Sequence, residues 1–304
     1  MRNILKTSNL PTCQLNDLLF PVEMAKISDK LGMDTISSTE YGIFAKINGK
    51  DMLLNTCSET YELVKNEDIF PVVEKLLTDA GIDYDVEYGM HSFSRFYAHF
   101  RIKTGGVSVG NKKDMIYPIL ILEHSYNGLW KYKMTFGYFR LVCSNGLVVP
   151  VEGKEEMNYT ITGKHTAKIL SSLEGLLEKI QYFNKNTKKF SEKFVIVAER
   201  WVSKWEERVE AVIEATGVGK RGYAQIVAQI EKESKELYNG KVNDWLIYNG
   251  INYHIFNAVT DKGKVYETAI NLRRDADKKV WETIFNNPRT ADLKKKKLKT
   301  VTAE

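Results

Sequence analysis

From Phe93 to Lys103 apolar and polar side chains alternate. Phe96, Ala98, Phe100 and Ile102 fall on one side, and Arg95, Tyr97, His99, Arg101 and Lys103 on the other. A period of two marks a half-buried strand. The run "MIYPILILEHSYNGLWKYKMTFGYFRLVCS" reads as a long hairpin turning at Asn127-Gly128. Its return strand places Trp130, Tyr132, Met134, Phe136 and Tyr138 on an apolar side, and Lys131, Lys133 and Thr135 opposite. The apolar side reads as core beneath a helix. Upstream, Asn48-Gly49 between two apolar runs predicts another hairpin. Ile69, Val72, Val73, Leu76 and Leu77 recur at helical spacing, with Asn66 as the expected cap and Gly81 as the stop. "GGVSVGNKKD" reads as a basic, glycine-rich loop.

After Pro150 the period changes. Ile169, Leu173, Leu176, Leu177 and Ile180 predict a helix. A single helix is expected over "SEKFVIVAERWVSKWEERVEAVIEAT", capped by Ser191 and broken by Gly217 and Gly219. A third helix closes at Gly240. A fourth carries Tyr248, Ile251, Ile255 and Val259, and "KVWETIF" gives a short last one. Strands first and helices later make the fold class α+β. An N-terminal β-hairpin, a helix and an antiparallel meander pack against helices, followed by a mostly helical C-terminal half. The expected division is an N-terminal extension (1–35), a sheet with one helix (36–150), a helical half packed on it as one continuous domain (151–287), and a disordered basic tail (288–304).

Composition narrows the classes. Hydrophobic residues make up 43% of the 304 and charged residues 27%, as in soluble globular proteins. No run approaches the ~18 apolar residues of a membrane span, and no signal peptide is expected. Cys13, Cys57 and Cys143 are far apart with no CxxC, which points to a reducing, cytoplasmic compartment rather than a disulfide framework. The net charge of +5 is concentrated after Pro288, where six basic side chains face two acidic ones. The tail reads as a solvated end or as a non-specific attractor of polyanions.

Catalytic motifs are weak. Cys143 has His165 and His124 as possible bases, but its apolar neighbours read as the setting of a small buried packer. No HExxH or Cys/His cluster suggests a metal. Asp83, Asp85 and Glu87 form a same-face acidic series, read as a solvated edge ahead of a nuclease-like cation site. "TGGVSVGNKKD" lacks the lysine-serine/threonine of a phosphate loop, and "GVGKRG" reads as an inter-helix turn. No cofactor, metal or catalytic residue is expected.

The strongest constellation is the polar side of the meander. Strands lie about 4.8 Å apart, so Arg95, Tyr97, Arg101 and Lys103 can join Lys131 and Lys133 in one basic surface, if they face the same way. Lys112 and Lys113 extend it. Arg140, set by alternation opposite Cys143, completes the set. Cations that follow a backbone around a ring that stacks on bases suit single-stranded nucleic acid. An ordinary solvated β-face is the competing reading.

Several segments resemble a known family. "FRLVCSNG", "SETYELVKNEDIF", and "YNGINYHIFNAVTD" with "NLRR" downstream occur in the order seen in the phage/plasmid-like domain-of-unknown-function family. The resemblance covers Tyr41 to Phe285. After Thr260 the chain departs from the pattern, with "DKGKVYE" where a histidine is expected. The resemblance implies a phage, prophage or plasmid origin in bacteria, hence the host cytoplasm, and carries no activity. The order of elements is also similar to the core of single-strand annealing recombination proteins, at the level of fold alone. The expected function is single-stranded DNA binding or annealing in replication or recombination, without catalysis and with a possible homo-oligomer. The alternatives are a host-interaction protein that inhibits a bacterial defence or host enzyme, and a hydrolase or nuclease.

Overall fold

The computed structural model describes residues 12–32, 40–130, 132–140, 149–150, 158–161, 173, 175–258 and 266–293. The expected disordered tail falls mostly outside them, as do Lys131, Cys143 and His165.

The fold is α+β. An eight-stranded antiparallel sheet carries β1 (Thr12–Cys13), β5 (Tyr84–His91), β6 (Arg95–Ile102), β8 (Asn111–Ser125), β9 (Tyr132–Arg140) and β10 (Val149–Pro150) in that spatial order. β7 (Val107–Val109) pairs with β8, and β11 (Asn158–Ile161) with β9. A smaller sheet has the order β2 (Val22–Lys26), β3 (Tyr41–Ile47), β4 (Lys50–Cys57). The β3–β4 turn is the expected Asn48-Gly49, at φ 51° and 78°. Asparagine and glycine reach that left-handed region at low steric cost.

The N-terminal segment is more than an extension. β1 pairs with β5 and β2 with β3, and two short helices, α1 (Leu15–Leu18) and α2 (Ile27–Leu31), lie between and after them. Asn66 precedes α3 (Phe70–Asp79) but does not cap it: its side-chain amide donates to the Leu18 carbonyl, 2.9 Å away. The expected glycine-rich loop is a tight hairpin instead. β7 and β8 turn at Gly110 (φ 72°), which puts Lys112 and Lys113 on a strand.

One side of the large sheet is core. Phe96, Phe100, Leu120, Leu122, Met134, Phe136 and Tyr138 are buried there. Phe70 of α3 packs on Tyr88, 6.0 Å between ring centroids, and the helical half covers the β9 end. That half comprises α4 (Leu176–Lys185), α5 (Thr187–Ala198), α6 (Trp205–Thr216), α7 (Tyr223–Tyr238), α8 (Asp244–Tyr253) and α9 (Tyr266–Asn286). Phe183 of α4 sits 5.1 Å from Tyr138, and Phe194 of α5 sits 5.7 Å from it.

The single helix expected from Ser191 to Thr216 is two helices, α5 and α6, and Ser191 is buried inside the first. The interruption at 199–204 follows from competition for backbone bonds. Val202 N–H donates to the Val242 carbonyl at 2.9 Å, and Asp244 N–H to the Arg200 carbonyl at 3.0 Å. The short last helix extends to the 21 residues of α9.

Candidate functional site

The polar side of the sheet brings Arg95, Tyr97, Arg101 and Lys133 together, but not every residue read from the sequence. Across the strands Tyr97 lies opposite Gly89 and Glu123, and Glu123 opposite Lys133. One row on, His99 faces Glu87 and Ile121; beyond it, Arg101 faces Asp85 and Ile119. This side is not an open basic surface. Arg95 and Arg101 are each 7% exposed and Tyr97 3%. Part of the reason is Glu87, on the adjacent strand, which is largely buried with them and supplies a counterion, whereas Asp83 and Asp85 stay largely exposed, as expected of a solvated edge. Arg101 Nη2 donates to Glu87 Oε2 at 2.8 Å, and Tyr97 hydroxyl to Glu87 Oε1 at 3.3 Å. Lys103 pairs with Asp85 at 2.9 Å and Asp83 at 3.3 Å. Lys133 is half-buried, while Lys112 and Lys113 are exposed.

Arg140 is a second correction. It shares the inward side of β9 with Tyr138 and is fully buried. Its Nε and Nη2 donate to the two oxygens of Asp114 at 2.6 and 2.5 Å, and Nη1 donates to Glu233 at 2.5 Å. Asp114 also accepts from Tyr238 hydroxyl (2.8 Å) and Trp245 Nε1 (3.1 Å), and Gln229 donates to Glu233. This network ties β8 and β9 to α7 and α8. Charge-assisted, bidentate pairing of this kind is strong only when complete, as here. Arg140 has no surface to offer a ligand.

The helical half holds two more buried clusters. Arg208 grips Asp244 through two contacts of 3.0 Å and reaches the Asn287 carbonyl at 2.6 Å. Asp277 accepts from Tyr248 hydroxyl (3.0 Å) and Asn252 Nδ2 (2.7 Å), and burial pushes its carboxyl up to about 6. Burial pushes the His124 imidazole down to about 4. Its Nε2 donates to the Val64 carbonyl at 3.2 Å, so that nitrogen carries a proton and cannot act as a base. In the "GVGKRG" turn, a Cβ on Gly222 would lie 1.9 Å from the His254 ring, so this glycine serves close packing. Among the described residues no group of histidine, cysteine and carboxylate side chains could hold a metal ion.

Lys103 is also exposed, and a further group of exposed cations lies on the helical half. Lys185, Lys188 and Lys189 on α4 and α5 are exposed, Lys179 and Lys193 half-exposed, and Tyr182 is 50% exposed among them. Only Glu178 and Glu192 offset them within the two helices. A Cβ added at Gly105 would lie 3.7 Å from Thr187 Oγ1, so the loop before β7 abuts the α4–α5 junction. Beside it Val107, Val195 and Ile196 line a groove rimmed by Lys188 and Glu192. The sequence signal for this ridge is the lysine-rich "NKNTKKF", which lies between the two helices expected there and has no expected role.

No helix among the described residues is long and apolar enough to cross a membrane. No curated protein and no solved structure gives a significant match. A family model described as "Domain of unknown function (DUF932)" matches residues 53–281. That match runs from β4 through most of α9 and takes in both the sheet and the helical half, so the chain belongs to the DUF932 family.

Proposed function

We propose that this protein binds single-stranded nucleic acid through the α4–α5 lysine ridge, with Lys112 and Lys113 of the neighbouring β7–β8 hairpin as secondary contacts. The observation that carries this reading is the cluster of Lys185, Lys188 and Lys189 beside a half-exposed Tyr182 ring. Lysines along a ridge neutralise phosphates without reading sequence, and an exposed ring stacks on any base. The biological setting we propose is replication or recombination of a phage or plasmid genome, in line with the motif order noted in the sequence.

Binding of the full chain to a labelled single-stranded oligonucleotide, followed over a range of salt concentrations, tests the reading. Affinity is expected to fall steeply with salt. Replacing Lys185, Lys188 and Lys189 by alanine removes three phosphate contacts, which lowers the slope of log affinity against log salt by about 2. Absence of binding at low salt overturns the proposal. An unchanged slope in the triple variant moves the interface away from α4–α5. A second reading, docking of a protein partner, is favoured by the Val107–Val195–Ile196 groove, where Ile196 is 46% exposed.

A further inference from the structure

Arg95 differs from the other described arginines and lysines on the polar side of the sheet. Arg101 has Glu87, Lys103 has Asp85, and Lys133 lies opposite Glu123 in the strand register. Arg95 is 7% exposed and forms no ion pair with a carboxylate among the described residues. Its Nη2 donates to His91 Nδ1 at 2.7 Å, while Nε and Nη1 are buried without a hydrogen-bond partner. The guanidinium carbon sits 5.7 Å from the centre of the Trp130 ring.

A buried cation without a counterion is costly, because its desolvation is not offset. A water molecule would satisfy the two nitrogens but would leave the charge. An anion does both. The surroundings suit an oxyanion. The site lies where the β5–β6 and β8–β9 turns meet, held together by Asn127 Nδ2 donating to Ser94 Oγ at 2.9 Å. Beside it His91 is half-buried and Ser92 exposed. Ser92 (φ 53°) and Phe93 (φ 52°) both hold the left-handed conformation that non-glycine residues rarely adopt. Such strain is found where a site fixes the backbone. His91 is held neutral by burial and by Arg95 beside it, so its Nε2 carries the proton and is a further donor.

We propose that Arg95, with His91, Ser92 and Trp130, forms a binding site for a phosphate-class anion. Arg95 supplies the charge and the N–H donors, His91 Nε2 a further donor and Trp130 an aromatic wall, while the Ser92 hydroxyl, 2.8 Å from His91 Nδ1, helps to hold the imidazole. The same chemistry serves a free phosphate ester or the phosphodiester of a strand. The site is separate from the α4–α5 ridge and does not depend on it.

The test uses the full chain in chloride buffer, with inorganic phosphate added at matched ionic strength. Phosphate is expected to raise the melting temperature and to shift the His91 ring resonances saturably in histidine-labelled NMR spectra. Arg95→Met keeps the aliphatic stem and removes the charge. It should weaken phosphate binding by about tenfold or more, as expected for hydrogen bonds to a charged group, and should melt in chloride close to wild type. A wild-type protein whose His91 signals do not saturate with phosphate, or an Arg95→Met protein that retains the phosphate response, overturns the proposal. If Arg95→Met does not fold, the wild-type His91 titration decides alone. A nucleoside 5′-monophosphate and an oligonucleotide without terminal phosphate separate the sources. Tighter binding of the first marks a phosphate monoester site, and of the second a strand contact.

Discussion

Arg140 and Arg95 are both buried arginines of the large sheet, on opposite sides of it. Arg140 faces the helices, and all three of its nitrogens meet carboxylate oxygens. Arg95 faces the other way; one nitrogen meets a neutral imidazole and two meet nothing. The residue type and the depth of burial are alike, and the completeness of pairing is not. A complete network fixes the relation of β8 and β9 to α7 and α8 and leaves no capacity for a ligand. An incomplete one has donors and charge to spare. Burial of a charged side chain is therefore not by itself a sign of a structural role.

The largest effect tests the complete side. Arg140→Met strands Asp114 and Glu233 in the interior and is expected to cost about 3–5 kcal/mol in denaturant unfolding. If it costs no more than Arg95→Met, the contrast collapses. Next comes Asp277, the acidic counterpart of Arg95, which accepts from the neutral donors Tyr248 and Asn252. Its folded carboxyl is raised from 3.8 to about 6, so the folded state binds the proton more tightly than the unfolded chain. The stabilisation is fully present below pH about 4 and is lost as pH rises through about 6, a change of about 3 kcal/mol. His124 and His254, lowered by burial, act in the opposite sense as pH falls. The stability difference between wild type and Asp277→Asn cancels them, and it should change by that amount across the window. A flat difference removes the idea that neutral donors leave this carboxylate undercompensated.

Much of the architecture was legible because it rests on period. The alternation from Phe93 to Lys103, the Asn48-Gly49 turn, and the split between strands and helices are all found in the fold. What was not legible depended on register. Asp83, Asp85 and Glu87 show the same period of two as Arg95 to Lys103, but only the β5–β6 pairing puts Glu87 beside Arg101. Arg140 was placed among surface cations because parity within one strand separates two sides without saying which is inward. Tyr138, two residues before it and assigned to the core, carried that information. The break after α5 has no glycine or proline to announce it, since it is set by backbone bonds to residues 242–244. The pairing of the N-terminal strands was equally invisible, because β1 has only two residues.

A third substitution makes the incomplete state on purpose. Glu87→Gln leaves Arg101 buried without its carboxylate, as Arg95 is now. The expected cost is about 2 kcal/mol, the scale of a lost hydrogen bond to a charged group. The variant should also respond more strongly to phosphate than wild type, since Arg101 then lacks the Glu87 carboxylate. A stability loss with no added phosphate response means that the polar side is closed to anions near Arg101.

The smallest expected change is the one that decides the comparison. Arg95→Met in chloride removes the Trp130 contact, worth about 0.5–1 kcal/mol, and at the same time removes a desolvated charge. The two terms oppose, so unfolding free energy should stay within about 1 kcal/mol of wild type. That near-equality is informative only beside the large loss expected for Arg140→Met, because both substitutions swap the same residue types at buried sites of one sheet. In phosphate the two proteins should separate: wild type gains stability and Arg95→Met does not. A large loss for Arg95→Met in chloride means that its charge is already balanced within the protein, and Arg95 then belongs with Arg140 as a structural residue.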